Sequence, residues 1–272
     1  MLPVCVPEWC GGELMVGAIA GDIIGSVYEH HNIRTTDFPL FGARCTFTDD
    51  TVLTVAIADA ILSGADYGDK LKEYFRSYPN RGYGLSFREW APSDSKSPGY
   101  SMGNGSAMRV SPVGFAFDTL DHVLEEAKRS AEPSHSHPEG IKGAQATASA
   151  IYLTRTGATK QEIKTYIEQH FGYALDEPLD SIRKWYRFDV TCPGSVPQAI
   201  RAFLESCDFE DAIRKAISIG GDSDTIACIT GGIAQAFYGS VPQEIIAGTL
   251  ARLDDRLRNV TLQFMRTFLS YQ

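Results

Sequence analysis

Thr159-Lys160-Gln161-Glu162-Ile163-Lys164-Thr165-Tyr166-Ile167-Glu168-Gln169-His170-Phe171 decides the fold class. Thr159 and Glu162 have the three-residue spacing of a capping box, in which each side chain satisfies a backbone N–H at a helix start. Apolar residues then recur at Ile163, Tyr166, Ile167 and His170/Phe171, which lays one helical face against a core. Outward from this stretch the same pattern repeats. Asp208 and Asp211 open a helix running through Ile213 and Ile217. Ser136-His137-Pro138-Glu139 reads as another box, ahead of a small-residue helix over 144–153. Comparable stretches lie near 14–28, 50–63, 67–77, 105–117, 119–131, 196–206, 225–238, 242–255 and 258–270. Alternating β-type runs are nearly absent, so the expectation is an all-α protein of about a dozen helices.

Residues 14–272 read as one domain, because no Pro/Ser/Gly-rich linker and no fixed-period repeat divides them. Residues 1–13 read as an N-terminal appendage. The stretch 78–105, rich in Gly, Pro, Ser and Asn, is expected to be the longest irregular segment, and loops of that length usually serve function. Glycines crowd certain helices: Gly17, Gly21 and Gly25 at i, i+4, i+8, and Gly231 and Gly232 in another. Each costs about 1 kcal/mol against alanine inside a helix, so close helix–helix packing is expected to offset it.

Composition narrows the functional classes. With 25 Lys+Arg against 34 Asp+Glu the chain carries a formal charge of −9, and 43% of it is hydrophobic. That excludes a nucleic-acid coat or a binder of anionic membranes, both of which need clustered Lys/Arg. Six scattered cysteines without a C-x-x-C pair argue against structural zinc and a disulfide framework, and fit a reduced cytoplasm. The first nine residues lack the basic region of a signal peptide, and the apolar stretch 14–27 is interrupted by Asp22 and glycines, too polar to span a bilayer. The chain is expected to be cytoplasmic, monomeric and away from membranes.

Two acidic motifs carry the chemistry. Thr48-Asp49-Asp50-Thr51 and Gly220-Gly221-Asp222-Ser223-Asp224-Thr225 each stand immediately before an apolar helix. One Asp suffices to cap a helix, yet each start has two beside a hydroxyl. Four carboxylates with threonine hydroxyls make a hard, oxygen-only donor set suited to Mg²⁺ or Mn²⁺ and unsuited to zinc or copper. Glu29 stands at the end of the first glycine-rich helix, where a carboxylate opposes the helix dipole. Gly103-Asn104-Gly105 is a glycine-rich turn before a helix, a type that presents N–H groups to phosphate, but it is not a Walker loop. In Ser134-His135-Ser136-His137 the histidines lack the further His or Cys partners zinc would need.

Taken together these motifs resemble the ADP-ribosylglycohydrolase family, enzymes that remove ADP-ribose from modified proteins. The matching elements, in family order, are Gly17-Ala18-Ile19-Ala20-Gly21-Asp22 with Gly25 and Glu29; Phe47-Thr48-Asp49-Asp50-Thr51; Arg81-Gly82-Tyr83-Gly84; Gly103-Asn104-Gly105 with Ala107-Met108-Arg109; Ser134-His135-Ser136-His137; and Gly220-Gly221-Asp222-Ser223-Asp224-Thr225. The resemblance implies a compact orthogonal helical bundle around a binuclear Mg²⁺ site, with Mn²⁺ able to substitute. By the same resemblance Thr48, Asp49, Asp50, Asp222, Asp224 and Thr225 are the metal ligands. Gly82, Gly84, Ser101, Gly103, Asn104 and His135 would line the ADP-ribose groove. Glu29, Asp49 and Asp222 are the candidates for catalytic acid or base. Met102 departs from relatives that carry a polar or aromatic residue there. The implied partner is ADP-ribose on a modified protein, nucleic acid or small molecule. The alternatives are a non-catalytic, crystallin-like member that binds ADP-ribose without cleaving it, and a different two-metal hydrolase such as a phosphatase or pyrophosphatase.

Overall fold

The computed structural model describes residues 15–95 and 97–269, so the expected appendage at 1–13 lies outside the described residues. Fifteen α-helical segments and no strands are found among the described residues. The first six are α1 (Val16–Gly25), α2 (Asp49–Ser63), α3 (Tyr67–Ser77), α4 (Leu85–Trp90), α5 (Gly105–Met108) and α6 (Ser111–Ala116). Next come α7 (Leu120–Ala131), α8 (Pro138–Arg155), α9 (Lys160–Phe171), α10 (Leu179–Trp185) and α11 (Cys192–Glu205). The chain closes with α12 (Phe209–Ile217), α13 (Ser223–Tyr238), α14 (Gln243–Leu250) and α15 (Asp255–Leu269).

Helix α13 is the axis of the bundle. Every residue from Ser223 to Gln235 is buried, which fits a helix apolar all round. It packs against α1, α8, α11 and α12, while α2 packs against α3, α6 and α15. Helix α1 is buried along its whole length, and its glycines explain how it fits. A Cβ on Gly21 would stand 2.1 Å from the Ala227 carbonyl oxygen, and one on Gly17 2.5 Å from that of Gly231. The reciprocal Cβ on Gly231 would meet the Gly17 oxygen at 2.1 Å. The two backbones therefore touch, and dispersion over that contact offsets the helical cost of glycine. Gln235 Oε1 accepts the Gly17 N–H at 2.7 Å, satisfying a donor at the start of α1 that no helical partner can reach.

Several expected boundaries move for identifiable reasons. Helix α9 carries its capping box as the spacing predicts, and Asp208 caps α12. The single helix expected over 105–117 breaks into α5 and α6, because Pro112 has no N–H to donate to the Met108 carbonyl. That carbonyl instead accepts from Thr54 Oγ1 at 3.4 Å and Cys228 Sγ at 3.3 Å. The stretch 78–105 is not wholly irregular: α4 forms within it, held by stacked and edge-on contacts among Phe75, Tyr83, Phe87 and Trp90. Ser136 does not cap α8; its hydroxyl donates to Gly99 O, and His137 Nδ1 accepts the Glu139 N–H instead. Glu29 lies four residues beyond the end of α1, in a turn, so no helix dipole opposes it. Cys45, Cys192, Cys207 and Cys228 are unpaired thiols. No helix of the described residues is long and apolar enough to cross a membrane.

The contact between α1 and α13 predicts the response to a single methyl group. Gly21→Ala should destabilise the fold by about 3 kcal/mol, since the clash is with backbone that cannot turn aside. Gly84→Ala at the start of α4, where an added Cβ meets nothing within 4 Å, should stay within about 0.5 kcal/mol of the parent. Urea unfolding midpoints at constant m-value check both.

Candidate active site

The close approach of α1 to α13 brings three helix ends together. A Cβ on Gly25 would stand 2.6 Å from the Asp224 Cα, so the end of α1 lies on the start of α13. Asp22, one turn earlier and fully buried, reaches across to the start of α2. Its Oδ2 accepts the N–H groups of Thr48 and Thr51, both at 3.0 Å, and a short bond from the Thr51 hydroxyl. Its Oδ1 accepts from Thr48 Oγ1 at 2.7 Å. Asp22 thus does for α2 what an N-cap residue does, but from another helix. Thr48 Oγ1 takes the Asp50 N–H at 3.2 Å, which completes the cap.

Capping at α2 therefore needs neither Asp49 nor Asp50, and Asp222 makes no side-chain cap on α13. Carboxylate oxygens of Asp22, Asp50 and Asp224 come within 4.8 Å of one another, as do those of Glu29, Asp222 and Asp224. Asp224 belongs to both groups. Thr225 Oγ1 donates to Asp50 Oδ2 at 3.3 Å, while Asp50 Oδ1 is buried with no hydrogen-bond partner. Asn104 Nδ2 donates to Asp222 Oδ2 at 2.6 Å and to Ser195 Oγ at 2.8 Å. Asp49 stands at the edge, half-buried, its N–H on Arg81 O at 2.8 Å and its Oδ1 against Gly82, whose φ is +101°. Gly84 borders open space.

The electrostatics follow from crowding without counter-charge. Burial first, and then neighbouring carboxylates, push Asp49, Asp50 and Asp224 well above the usual carboxylate range. Burial also raises Asp22 and Asp222, with hydrogen bonds from Thr51 and Thr48 to the first, and Asn104 among the donors to the second, pulling them back. Glu29 is raised by burial and then by Asp222. Among the described residues the ion pair at this cluster is the contact of exposed His30 with Glu29, 3.6 Å. An all-oxygen set, an orphaned buried Asp50 oxygen and no lysine or arginine between the acids suit a hard divalent cation.

The glycine turn lies beside the acids. Gly103 pairs with Thr191, the Asn104 N–H donates to Val190 O at 2.8 Å, and Ser101 Oγ accepts the Gly103 N–H at 3.1 Å. Those two N–H groups are satisfied within the fold, so the turn offers a ligand its missing side chains instead. His135 is buried beneath it, and a Cβ on Gly105 would stand 3.0 Å from His135 Nε2. Arg109 Nη2 donates to Ser134 Oγ at 2.9 Å, which leaves the Ser134 hydroxyl proton for His135 Nδ1, 2.8 Å away. That network assigns the His135 proton to Nε2, facing the turn. Burial, reinforced by the Arg109 charge, holds His135 well below its usual range, so it is neutral.

Of the residues singled out from sequence, Thr48, Asp50, Asp222, Asp224 and Thr225 converge, Glu29 joins through Asp222 and Asp224, and Asn104 joins through Asp222. Ser101, Gly103 and His135 form the adjoining turn, and Gly82 abuts Asp49 at the edge. Asp22 and Ser195 were not singled out as site residues. For Asp22 a signal existed: an aspartate inside an otherwise apolar, glycine-rich helix is costly to bury unless it has partners.

Fold and site define an all-α protein whose helix ends pool hard oxygen donors beside a glycine turn. The ADP-ribosylglycohydrolase family model matches residues 13–270. The chain belongs to the ADP-ribosylglycohydrolase family, whose enzymes hydrolyse ADP-ribose linkages. It is 27% identical to the ADP-ribosylhydrolase ARH3 of Xenopus tropicalis, over 83% of this chain and 86% of that protein. It is 26% identical to human ADP-ribosylhydrolase ARH3, over 83% of this chain and 84% of that one. With the ADP-ribosylarginine hydrolase Tri1 of Pseudomonas putida it shares 24% identity, over 83% of this chain and 69% of the other. A solved ADP-ribosylglycohydrolase-related protein complex shares the fold, with a TM-score of 0.69 at 22% identity over 93% of this chain and 97% of that one.

The crowded acids predict a stability that depends on pH. A carboxylate raised on folding makes the folded state hold more protons than the unfolded chain, so stability falls as pH rises through the interval above about 4. In EDTA, the unfolding free energy of the parent relative to Asp224→Asn should therefore decrease from pH 4 to pH 8. Urea titrations across that range test it, and a difference that stays flat would remove Asp224 from the repulsive set.

Proposed function

We propose that this chain is a Mg²⁺-dependent hydrolase that cleaves the glycosidic bond between ADP-ribose and a modified acceptor, releasing free ADP-ribose. The observation that carries the reading is the convergence of the buried Asp50, Asp222 and Asp224 in two carboxylate groups with an unpartnered oxygen and, among the described residues, no lysine or arginine paired with them. Thr48, Asp49, Asp50, Asp222, Asp224 and Thr225 would hold two ions, Mn²⁺ substituting for Mg²⁺. Asp22, its oxygens occupied by Thr48 and Thr51, orients that set from behind. Held by these residues, such ions would supply the positive charge that positions ribose hydroxyls and lowers the pKa of an attacking water.

The protein's own groups do the rest. Cleavage at the anomeric carbon develops positive charge there, which the attacking water relieves. Asn104 fixes the rotamer of Asp222. The neutral His135 offers its Nε2–H under the Gly103 turn, where a diphosphate-ribose ligand would pack against glycine. As water adds at the anomeric carbon and the bond to the acceptor breaks, Glu29, with its proton affinity raised and its carboxylate beside those of Asp222 and Asp224, would take the water's proton and pass it to the leaving acceptor, with Asp49 and Asp222 the other candidates for that role. Acid–base help of this kind contributes about 10²–10⁴-fold.

The test is release of free ADP-ribose from arginine-linked, serine-linked, acetyl-ester and nucleic-acid-end substrates, with and without EDTA. Asp224→Asn and chelation should each lower turnover at least about 10²-fold on the preferred linkage. Turnover undiminished by both would sink the metal mechanism. Tight calorimetric binding of ADP-ribose without turnover on any linkage would favour the non-catalytic alternative, and AMP as product a pyrophosphatase.

A further inference from the structure

Asn32 joins the two halves of the carboxylate cluster. The turn after α1 carries Glu29, and the glycine turn before α13 carries Asp222, far away in the chain. The Asn32 side chain touches both. Its Oδ1 accepts the Gly221 N–H at 2.7 Å, and its Nδ2 donates to Gly221 O at 3.0 Å. The same Nδ2 faces the carbonyls of Tyr28 at 2.7 Å and Glu29 at 2.9 Å. A side-chain amide that answers both the N–H and the C=O of one residue mimics a backbone pair and sets angle as well as distance. The residue it grips is the one before Asp222.

The local chain needs such a tie. Gly220 and Gly221 have φ of +71° and +72°, so this turn bends where side-chain-bearing residues rarely go, and glycine gives it little stiffness of its own. Glu29 sits in a turn rather than a helix, and its carboxylate comes within 4.8 Å of those of Asp222 and Asp224. Repulsion between Glu29 and Asp222 would push the two turns apart unless something held them. Asn32 is exposed and shields no core, so packing does not explain four contacts on one amide.

We infer that Asn32 is a positioning residue: it straps the Glu29 turn to the Gly221–Asp222 turn and so sets the distance from the Glu29 carboxylate to the Asp222–Asp224 pair. This rests on the proposed metal-dependent reading of the site, and the strap itself has a readout that does not. In metal-free protein, Asn32→Ala should speed hydrogen exchange of the Gly221 amide by about tenfold, with α9 and α15 unchanged and the unfolding temperature nearly that of the parent. In the presence of Mg²⁺, calorimetry should show the ion bound about tenfold more weakly, the scale typical of residues that orient metal ligands. Turnover should fall through kcat with KM little changed.

A double-mutant cycle isolates the route. Because Asn32 acts on turnover through Glu29, Asn32→Ala should cost less than twofold in kcat when placed in Glu29→Gln. Equal losses in both backgrounds, or Mg²⁺ affinity and kcat within twofold of the parent in the single variant, would overturn the proposal. Should Asn32→Ala fold poorly, Asn32→Ser undergoes the same measurements. If the parent itself neither binds Mg²⁺ nor releases ADP-ribose, the metal-dependent reading fails. Gly221 exchange then still judges the strap: unchanged exchange removes it.

Discussion

Everything at the site depends on how closely α1 can lie on α13. Two helices ordinarily pack with their axes 8–10 Å apart because side chains intervene. Here glycines remove the side chains, and a Cβ at Gly17, Gly21 or Gly231 would stand within 2.5 Å of the facing backbone oxygen. The approach fixes the end of α1 over the start of α13, and with it the position of Asp22 and of the turn that follows. A site of six acids needs rigid ends, since a shift of one ångström in a carboxylate changes what it can coordinate. The small residues that look uneconomical along each helix are the means of achieving that rigidity.

Crowding acids also carries an electrostatic cost, and the fold offsets it in stages. The starts of α2 and α13 contribute partial positive charge from backbone N–H groups that have no partner within their own helix backbone, which favours carboxylates in the first turn. Asp22 receives four hydrogen bonds from Thr48 and Thr51, enough to hold one buried acid in place. Asn104 answers Asp222. Asp50 and Asp224 are left with burial and repulsion outweighing their hydrogen bonds, which is why their proton affinity rises most clearly with that of Asp49. A fold that merely wanted stability would replace such residues. Their retention in the core fits a site completed by a cation, in line with the proposed mechanism.

The sequence was legible where the signal is local. Thr159 with Glu162, Asp208 with Asp211, and Thr48 before its apolar run are start signals readable within one turn, and each helix begins there. The acidic motifs were legible as chemistry because two acids exceed what a cap requires. What escaped was set by partners distant in the chain. Asp22 caps α2 from 26 residues earlier. Asn32 meets Gly221 across 189 residues. Helix α4 owes its existence to an aromatic cluster that includes Phe75 from α3. No spacing rule reports such pairings. The break between α5 and α6 was local, since Pro112 announces it, but the apolar residues on both sides hide it.

An acidic chain with a diphosphate-bearing ligand looks contradictory until the basic residues are followed. Arg109, the arginine of the glycine-turn motif, is fully buried and spends its bonds on Ser130 O and Ser134 Oγ. Two of its nitrogens have no partner, and burial lowers its pKa to about 9. It therefore does not face a ligand as a phosphate clamp. Its influence passes through Ser134 to His135, where it fixes the proton on Nε2 and keeps the ring neutral. A neutral donor under a bare glycine turn can approach a phosphate oxygen without adding charge to a site that cations would already supply. The net charge of −9 is then compatible with an anionic ligand under the proposed mechanism, in which attraction would reside in ions held by the acids and recognition in shape and one oriented imidazole. On that proposal a basic patch, the usual mark of phosphate binding, is not needed, since the acids would anchor the positive charge.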